Sequence, residues 1–365
     1  MSKKNPRVII IKQNVGIDIS KDDFKVFFYR LTQTGESKVR GSRAFKNTSV
    51  GFVAFDKWIE KNRKADLPVR FTLEATGIYH ENLAHFLENK GHHVSIVLAN
   101  QAKAYAKSLN LKSKTDAMDA KMLGQMGLER DLQQWKPISP KLRIIKQLTR
   151  DRVSLLEEQL ALTNKLHALD HSFEPNKRVI KRMKQRLKLI EKHIEQSDQE
   201  IQQTVQADEV LKTKIAKVCK IKGLALITVA TIVAETNGFA LFTSRAQLTS
   251  YAGYDVVERQ SGSSIKGKTK ISKKGNRFIR RALHLPALSM VQHEPQFRQL
   301  YERVFERTGI KMKGYVAVQR KALLLIYTLF KNDLEYNPNF QNQPEEIKES
   351  VIQISRQDTS PAYTG

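Results

Sequence analysis

Lys114-Thr115-Asp116-Ala117-Met118-Asp119-Ala120 sets two carboxylates three residues apart in a helix-forming stretch, with small alanines beside them. At that spacing both acids share one helix face. Adjacent aspartates repel, so ionising both is costly unless cations neutralise them, and hard divalent ions such as Mg2+ prefer such oxygen ligands. The plain alternative is a solvated acidic face. Two more acids bear on the choice, because Asp18 and Glu74 each close an apolar run with strand character. Four converging carboxylates could hold two divalent ions about 3.5 to 4 Å apart, a geometry that stabilises both the entering and leaving oxygens of a phosphodiester.

A second stretch offers a nucleophile. Ser261 precedes Gly262 in a polar loop, and from Lys266 to Arg281 there are eight basic residues and no acidic one. A hydroxyl among cations could attack a phosphodiester and leave a covalent phosphoserine. Arg259, Lys266, Lys268, Lys270, Lys273, Lys274, Arg277, Arg280 and Arg281 are the candidate phosphate contacts. Against this, Ser-Gly is ordinary turn chemistry and a basic run can be a solvated face. Ser272 reads as the N-cap of the helix that follows.

Composition fits a polyanionic partner. In 365 residues, 63 Lys and Arg against 37 Asp and Glu leave a net charge of +26, which favours nucleic acid over an anionic membrane. Cys219 is the only cysteine, which excludes an intrachain disulfide or a cysteine-rich zinc site; it reads as a buried structural thiol. His80, His284 and His293 lack ligand spacing. The longest apolar run, Leu224 to Ala234, is too short to span a bilayer, and no signal-peptide pattern opens the chain. A soluble, cytoplasmic protein is expected.

The elements that must position the acids come first in the chain. Val8 to Ile19, Phe24 to Leu31 and Ser37 to Phe45 alternate as three strands, joined at Ser20 to Asp23 and Thr32 to Gly35 by turn-forming residues. A helix capped at Thr48 or Asn47, a strand from Val69 to Leu73 ending on Glu74, a helix over Gly77 to Lys90 and a strand over Val94 to Leu98 follow. From Gln101 the pattern is helical, with a break at Asn110 to Lys114. This order predicts a mixed α/β sheet.

After Pro137 and Pro140, Leu148, Leu155, Leu162 and Leu169 recur at seven-residue spacing, and Met183, Leu187, Ile190, Ile194 and Ile201 form a second seam. These predict two long antiparallel helices joined near His171 to Asn176, as an intramolecular hairpin or as a seam recruiting a second subunit. Arg152 and Gln159 at seam positions would weaken a purely apolar zipper and could specify its register. Leu211 to Lys222, Gly223 and Leu224 to Ala234 read as helix, tight turn and helix, either a helix-hairpin-helix that offers backbone N–H groups to phosphate or an ordinary αα-corner. Helices over Leu283 to Val291 and Tyr315 to Phe330 complete a core, with Lys311, Lys313, Arg320 and Lys321 extending the basic surface.

Val15-Gly16-Ile17-Asp18-Ile19-Ser20-Lys21, Leu73-Glu74-Ala75-Thr76-Gly77 and the Asp116–Asp119 stretch together resemble the RuvC-like domain of the DEDD transposases of insertion sequences, the bridge-RNA-guided recombinases. Tyr251-Ala252-Gly253, Gln260-Ser261-Gly262, Ile271-Ser272-Lys273-Lys274-Gly275-Asn276 and Arg280-Arg281 are similar to that family's serine-bearing domain, with Val256 where a proline is expected. The resemblance implies an α/β RuvC-like (RNase H-like) domain over 1–136, a helical coiled-coil insertion over 137–210 and a mainly α transposase domain over 211–332, while the polar stretch 333–365, with Pro338, Pro344 and Pro361, reads as a disordered tail. It implies a metal-binding tetrad of Asp18, Glu74, Asp116 and Asp119 using Mg2+ or Mn2+, Ser261 as nucleophile, and DNA and a structured noncoding guide RNA as partners. It also implies a homo-oligomer, dimer or tetramer, assembled through the coiled coil, acting at the bacterial nucleoid. A RuvC-like nuclease or junction resolvase would need the tetrad without Ser261, and a non-enzymatic nucleic-acid-binding protein would need neither.

Overall fold

A computed structural model describes residues 9–75, 77–109, 116–240, 242–257, 260–261, 265–266 and 270–338, with Gln260, Ser261, Ile265 and Lys266 described by their backbone. The chain forms two compact units, Met1–Pro137 and Ile138–Gly365. Among the described residues no helix is long and apolar enough to cross a membrane.

The first unit is built on three antiparallel strands, β1 (Ile10–Ile19), β2 (Asp23–Thr32) and β3 (Ser37–Lys46). The β1–β2 turn closes with Ser20 N–H donating to the Asp23 carbonyl at 2.8 Å. Helix α1 (Ser49–Asn62) starts where the Thr48 hydroxyl accepts from Gly51 N. Strand β4 (Val69–Glu74), helix α2 (Glu81–Asn89), strand β5 (His93–Val97) and helices α3 (Ala99–Ser108) and α4 (Asp116–Glu129) follow. Sheet order is β3-β2-β1-β4-β5, with β1, β4 and β5 mutually parallel, which makes the sheet mixed as predicted. Helix α2 begins later than the expected Gly77, because Gly77 takes φ +56 and residues 77–80 form a turn. The break expected at Asn110 to Lys114 lies outside the described residues.

Period-two alternation sorts the side chains of β1 onto two faces. Val15, Ile17 and Ile19 bury themselves with Phe24, Phe55, Ile59 and Leu83 in one core. Asn14, Gly16 and Asp18 point the other way, toward α4. There the helix backbone comes so close that a Cβ on Gly16 would stand 2.0 Å from Gly124 N and 2.2 Å from the Ala120 carbonyl. Asn14 Nδ2 fixes the contact by donating to the Gly124 carbonyl at 2.9 Å.

The second unit opens with α5 (Pro140–Asp170) and α6 (Lys177–Gln206), which turn back on one another as a helical hairpin joined at His171–Asn176. Arg152, at a seam position where it was expected to weaken an apolar zipper or to specify its register, pairs with Asp198 of α6, its Nη2 donating to Oδ2 at 3.2 Å. Then come α7 (Glu209–Cys219), α8 (Leu226–Glu235), α9 (Arg245–Ala252), the short strands β6 (Val256–Val257), β7 (Gln260–Ser261), β8 (Ile265–Lys266) and β9 (Lys270–Ile271), and α10 (Arg277–Ala282), α11 (His284–His293), α12 (Pro295–Thr308) and α13 (Lys311–Lys331). One apolar core, including Val229, Val233, Ile279 and Ile326, joins the helical elements to the base of the hairpin at Ile145 and Ile201. Cys219 is partly buried in it, and burial pushes its thiol up to about 11. Of the expected tail, residues 339–365 lie outside those described.

In the α7–α8 turn, Ile221 and Leu224 donate their N–H groups to nearby carbonyls, and Lys222 N donates to Glu294 Oε1 at 3.1 Å. Those three donors are satisfied within the protein, as in an αα-corner.

Candidate active site

Strand register brings the first two acids together. Ile17 pairs with Leu73 across the parallel β1–β4 ladder, so Asp18 and Glu74 are the next residues on adjacent strands, at the same end and on the same face. That is the carboxyl end of two parallel strands, where open α/β sheets place their ligand crevices. Helix α4 lies over this face and carries Asp116 and Asp119 in its first turn. The Gly16–Gly124 contact makes this approach possible, since larger side chains would hold the helix off the strand.

Electrostatics records the convergence. The Asp18 carboxyl is pushed up to about 6 by burial first, then by the charges of Asp116, Asp119 and Glu74, with Lys25 opposing them. Every other acid of the sequence-derived set is therefore close enough to be felt at Asp18. Among the described residues, however, no three His, Cys, Asp or Glu side chains are gathered tightly enough to hold a metal ion as they stand.

Sequence reasoning missed Lys25. It stands directly across the β1–β2 ladder from Asp18, and its Nζ donates to Asp116 Oδ2 at 2.8 Å. The bond to Asp116 raises the ammonium's pKa. Register was the signal that could have found it: a tight turn at Ser20–Asp23 makes Asp18 and Lys25 partners on one face.

Ser261 lies in the other unit. Its backbone pairs β7 with β8, opposite Ile265. Arg259 and Lys268 lie outside the described residues, whereas Lys270, Lys273, Lys274 and Arg277 are exposed. Arg280 turns inward, its Nη1 donating to the Ala252 carbonyl at 2.7 Å beneath the left-handed Gly253, and Arg281 pairs with Glu157 of α5. Ser272 is not the helix cap it was expected to be. Its hydroxyl donates to Asp255 Oδ1 at 2.6 Å and accepts from Lys274 N, while Asn276 caps α10 through Phe278 N and Ile279 N.

Another missed residue, Glu235, has a fully buried side chain. Arg150 donates to both its oxygens, at 2.6 and 2.9 Å, and Asn276 Nδ2 donates to Oε2 at 2.7 Å. One carboxylate thus ties α5 to the cap of α10. An acid closing the apolar run Leu226–Ala234 was its only trace in the sequence.

Comparison with known proteins finds transposase family models along this chain. A DEDD transposase model of the IS110 type matches residues 15–173, and a model of the transposase IS116/IS110/IS902 family matches residues 216–302. The pilin gene-inverting proteins of Moraxella lacunata and Moraxella bovis are each 27% identical over 336 residues, covering 89% of this chain and 98% of the relative. A 43.6 kDa protein of insertion element IS110 from Streptomyces coelicolor is 25% identical over 114 residues, 31% of this chain and 28% of its own. With both family models matched in order and relatives aligned along nearly their full length, the chain belongs to the IS110/IS116/IS902 family of DEDD transposases.

Proposed function

We propose that this transposase cleaves and exchanges DNA strands with Asp18, Glu74, Asp116 and Asp119 as holders of Mg2+ or Mn2+ and with Ser261 as nucleophile. The field at Asp18 carries the reading: three acids bear on a fourth at a crevice, a costly arrangement unless cations are to be bound there. The donors suit the ion, since carboxylate oxygens are what a hard divalent cation prefers, and the family is generally divalent-metal dependent. A metal held there would supply positive charge to the entering and leaving oxygens at phosphorus.

The chain's own groups do the rest. The Ser261 hydroxyl displaces a deoxyribose oxygen from phosphorus; one P–O ester bond forms as another breaks, and the hydroxyl proton passes to the departing oxygen. DNA is then joined to the protein by a phosphodiester that a strand-end hydroxyl can reverse, with no external energy source. Lys270, Lys273, Lys274 and Arg277 offer exposed charge to the phosphates. Inversion, which the names of the Moraxella relatives describe, requires every cut end to be rejoined, as a retained ester bond allows. The acids lie in residues 1–137 and Ser261 in 138–365, so the proposed chemistry draws on both units, in cis or in trans.

Sequence choice is delegated to a structured noncoding RNA of the element, which pairs with donor and target DNA; the family resemblance supports this, and a net charge of +26 accommodates a second polyanion. Subunits assemble as a dimer or tetramer through the hairpin, where Leu160 and Leu189 remain 63% and 52% exposed.

The test is to incubate protein, RNA and cognate DNA with Mg2+, denature, and look for protein-linked DNA. The wild type gives the adduct, while Ser261→Ala and Asp116→Asn do not. An adduct that survives Ser261→Ala removes the serine assignment. Metal-dependent cutting without any adduct favours a RuvC-like nuclease instead.

A further inference from the structure

Helix α6 carries a charge pattern that neither the acidic crevice nor the serine-bearing segment uses. Over Lys177–Lys188 it holds four lysines and three arginines with no acid, whereas its second half is laced with Glu191, Glu195, Asp198 and Glu200. Lys177, Lys181, Lys184 and Lys188 recur at helical spacing on one stripe, and Arg178, Arg182 and Arg186 form a second stripe beside it. All seven side chains are exposed, and none enters an ion pair among the described residues.

Such a pattern opposes helix stability. Cations crowd the positive end of the helix dipole, and Lys177–Lys181, Arg178–Arg182, Arg182–Arg186 and Lys184–Lys188 are like-charged neighbours one turn apart. The facing end of the hairpin does not neutralise them: between Asn164 and Asn176 the acids are Asp170 and Glu174, and Lys165 adds another cation. An external polyanion is what would relieve the repulsion.

We infer that the first half of α6 is a separate docking surface for the phosphate backbone of duplex DNA. The lysine stripe runs about 16 Å at 1.5 Å per residue, long enough to lie against several phosphates of a stiff duplex. Single strands are a poorer match, because no aromatic side chain lies between Lys177 and Lys188 on which bases could stack. A membrane surface would need the helix's apolar face, but Met183 is buried and Leu187 and Ile190 are partly buried where α6 packs on α5. DNA is preferred to duplex RNA because the family's substrate is DNA.

The experiment uses the full-length chain with Lys177, Lys181, Lys184 and Lys188 replaced by Gln, and a second variant with Arg178, Arg182 and Arg186 replaced by Gln. Binding to a labelled duplex of arbitrary sequence is followed between about 50 and 200 mM salt. The lysine variant is expected to lose roughly tenfold to a hundredfold in affinity and to flatten the log–log salt slope by about 3 to 4, as each lost phosphate contact removes about 0.9. Its melting temperature should hold or rise, since repulsion has been removed, so weakened binding cannot be assigned to misfolding. A control with four exposed lysines changed elsewhere, Lys57, Lys61, Lys103 and Lys121, should leave the slope nearer that of the wild type. The inference falls if the α6 variants bind duplex DNA with the wild-type slope, or if the loss appears only with hairpin RNA or phosphatidylserine vesicles.

Discussion

Lys25 Nζ lies 2.8 Å from Asp116 Oδ2 while the same lysine stands directly across the sheet ladder from Asp18. The acidic crevice therefore holds a tethered cation where a divalent one is proposed to bind. With Lys25→Met, the four carboxylates lose their resident counter-charge. The metal-free protein should melt earlier at neutral pH, and Mg2+ or Mn2+ should raise its melting temperature at lower concentration, by up to about tenfold. Thermal melts across a divalent titration decide the matter; equal midpoints in variant and wild type would mean that the ammonium does not compete with the metal.

Asp18 sets a pH dependence whose sign can be worked out. Burial and three like charges favour its neutral form, so its folded pKa, about 6, lies above the ordinary 3.8. Below the lower value the carboxyl is protonated whether folded or not, and no penalty exists; the penalty grows between the two values and is complete above the higher. Asp18→Asn should thus stabilise the metal-free protein at about pH 7.5 by roughly 1 kcal/mol, allowing for solvent screening of a partly buried group, and by little at about pH 4. A melting-temperature gain of about 2 to 4 °C that vanishes in acid is the expected result. A gain independent of pH would point to packing.

The placement of α4 depends on a missing side chain. A methyl on Gly16 would fall 2.0 Å from one helix backbone atom and 2.2 Å from another, and neither is the end of a flexible group. Gly16→Ala should lift the helix from β1, cost about 3 kcal/mol or more, and weaken divalent binding by separating Asp116 and Asp119 from Asp18. Both tryptophans, Trp58 and Trp135, lie in the first unit, so their fluorescence reads its unfolding specifically. Wild-type metal affinity in Gly16→Ala would show that the acids do not rely on this contact.

Much of the first unit was legible because its strands alternate cleanly and end at turn residues that have few other conformations open to them. Ser20–Asp23 closes one hairpin, and Gly35, at φ +82, closes the next. The four acids were legible as strand ends and a helix face. What escaped depends on partners remote in sequence. Lys25 looks like any lysine on a half-exposed strand until register places it against Asp18. Glu235 looks like the polar end of an apolar helix until Arg150, eighty-five residues earlier, encloses it. Ser272 was misread because a serine before helix-forming sequence is a sound cap signal, yet Asn276 sits four residues nearer the helix and its amide also reaches Glu235.

That enclosed carboxylate yields the last prediction. Glu235 is fully buried, Arg150 is bonded to both its oxygens, and Lys146 stands 3.9 Å away. Removing the guanidinium with Arg150→Met leaves a buried charge with only the Asn276 amide and the more distant ammonium, which should cost about 3 kcal/mol, the lower end for a broken buried pair. Glu235→Gln keeps the shape and a bond to Asn276 but loses the charge-assisted pair, and should cost about 2 kcal/mol. The double variant has no stranded carboxylate, so its loss should fall well short of the sum of the two. Far-UV circular dichroism during urea unfolding follows this helix-rich unit, and hydrogen exchange at Phe278 and Ile279, whose N–H groups Asn276 holds, reads the α10 cap directly. Strict additivity would show that Arg150 and Glu235 act independently, and the cap of α10 would then have to be held by Asn276 alone.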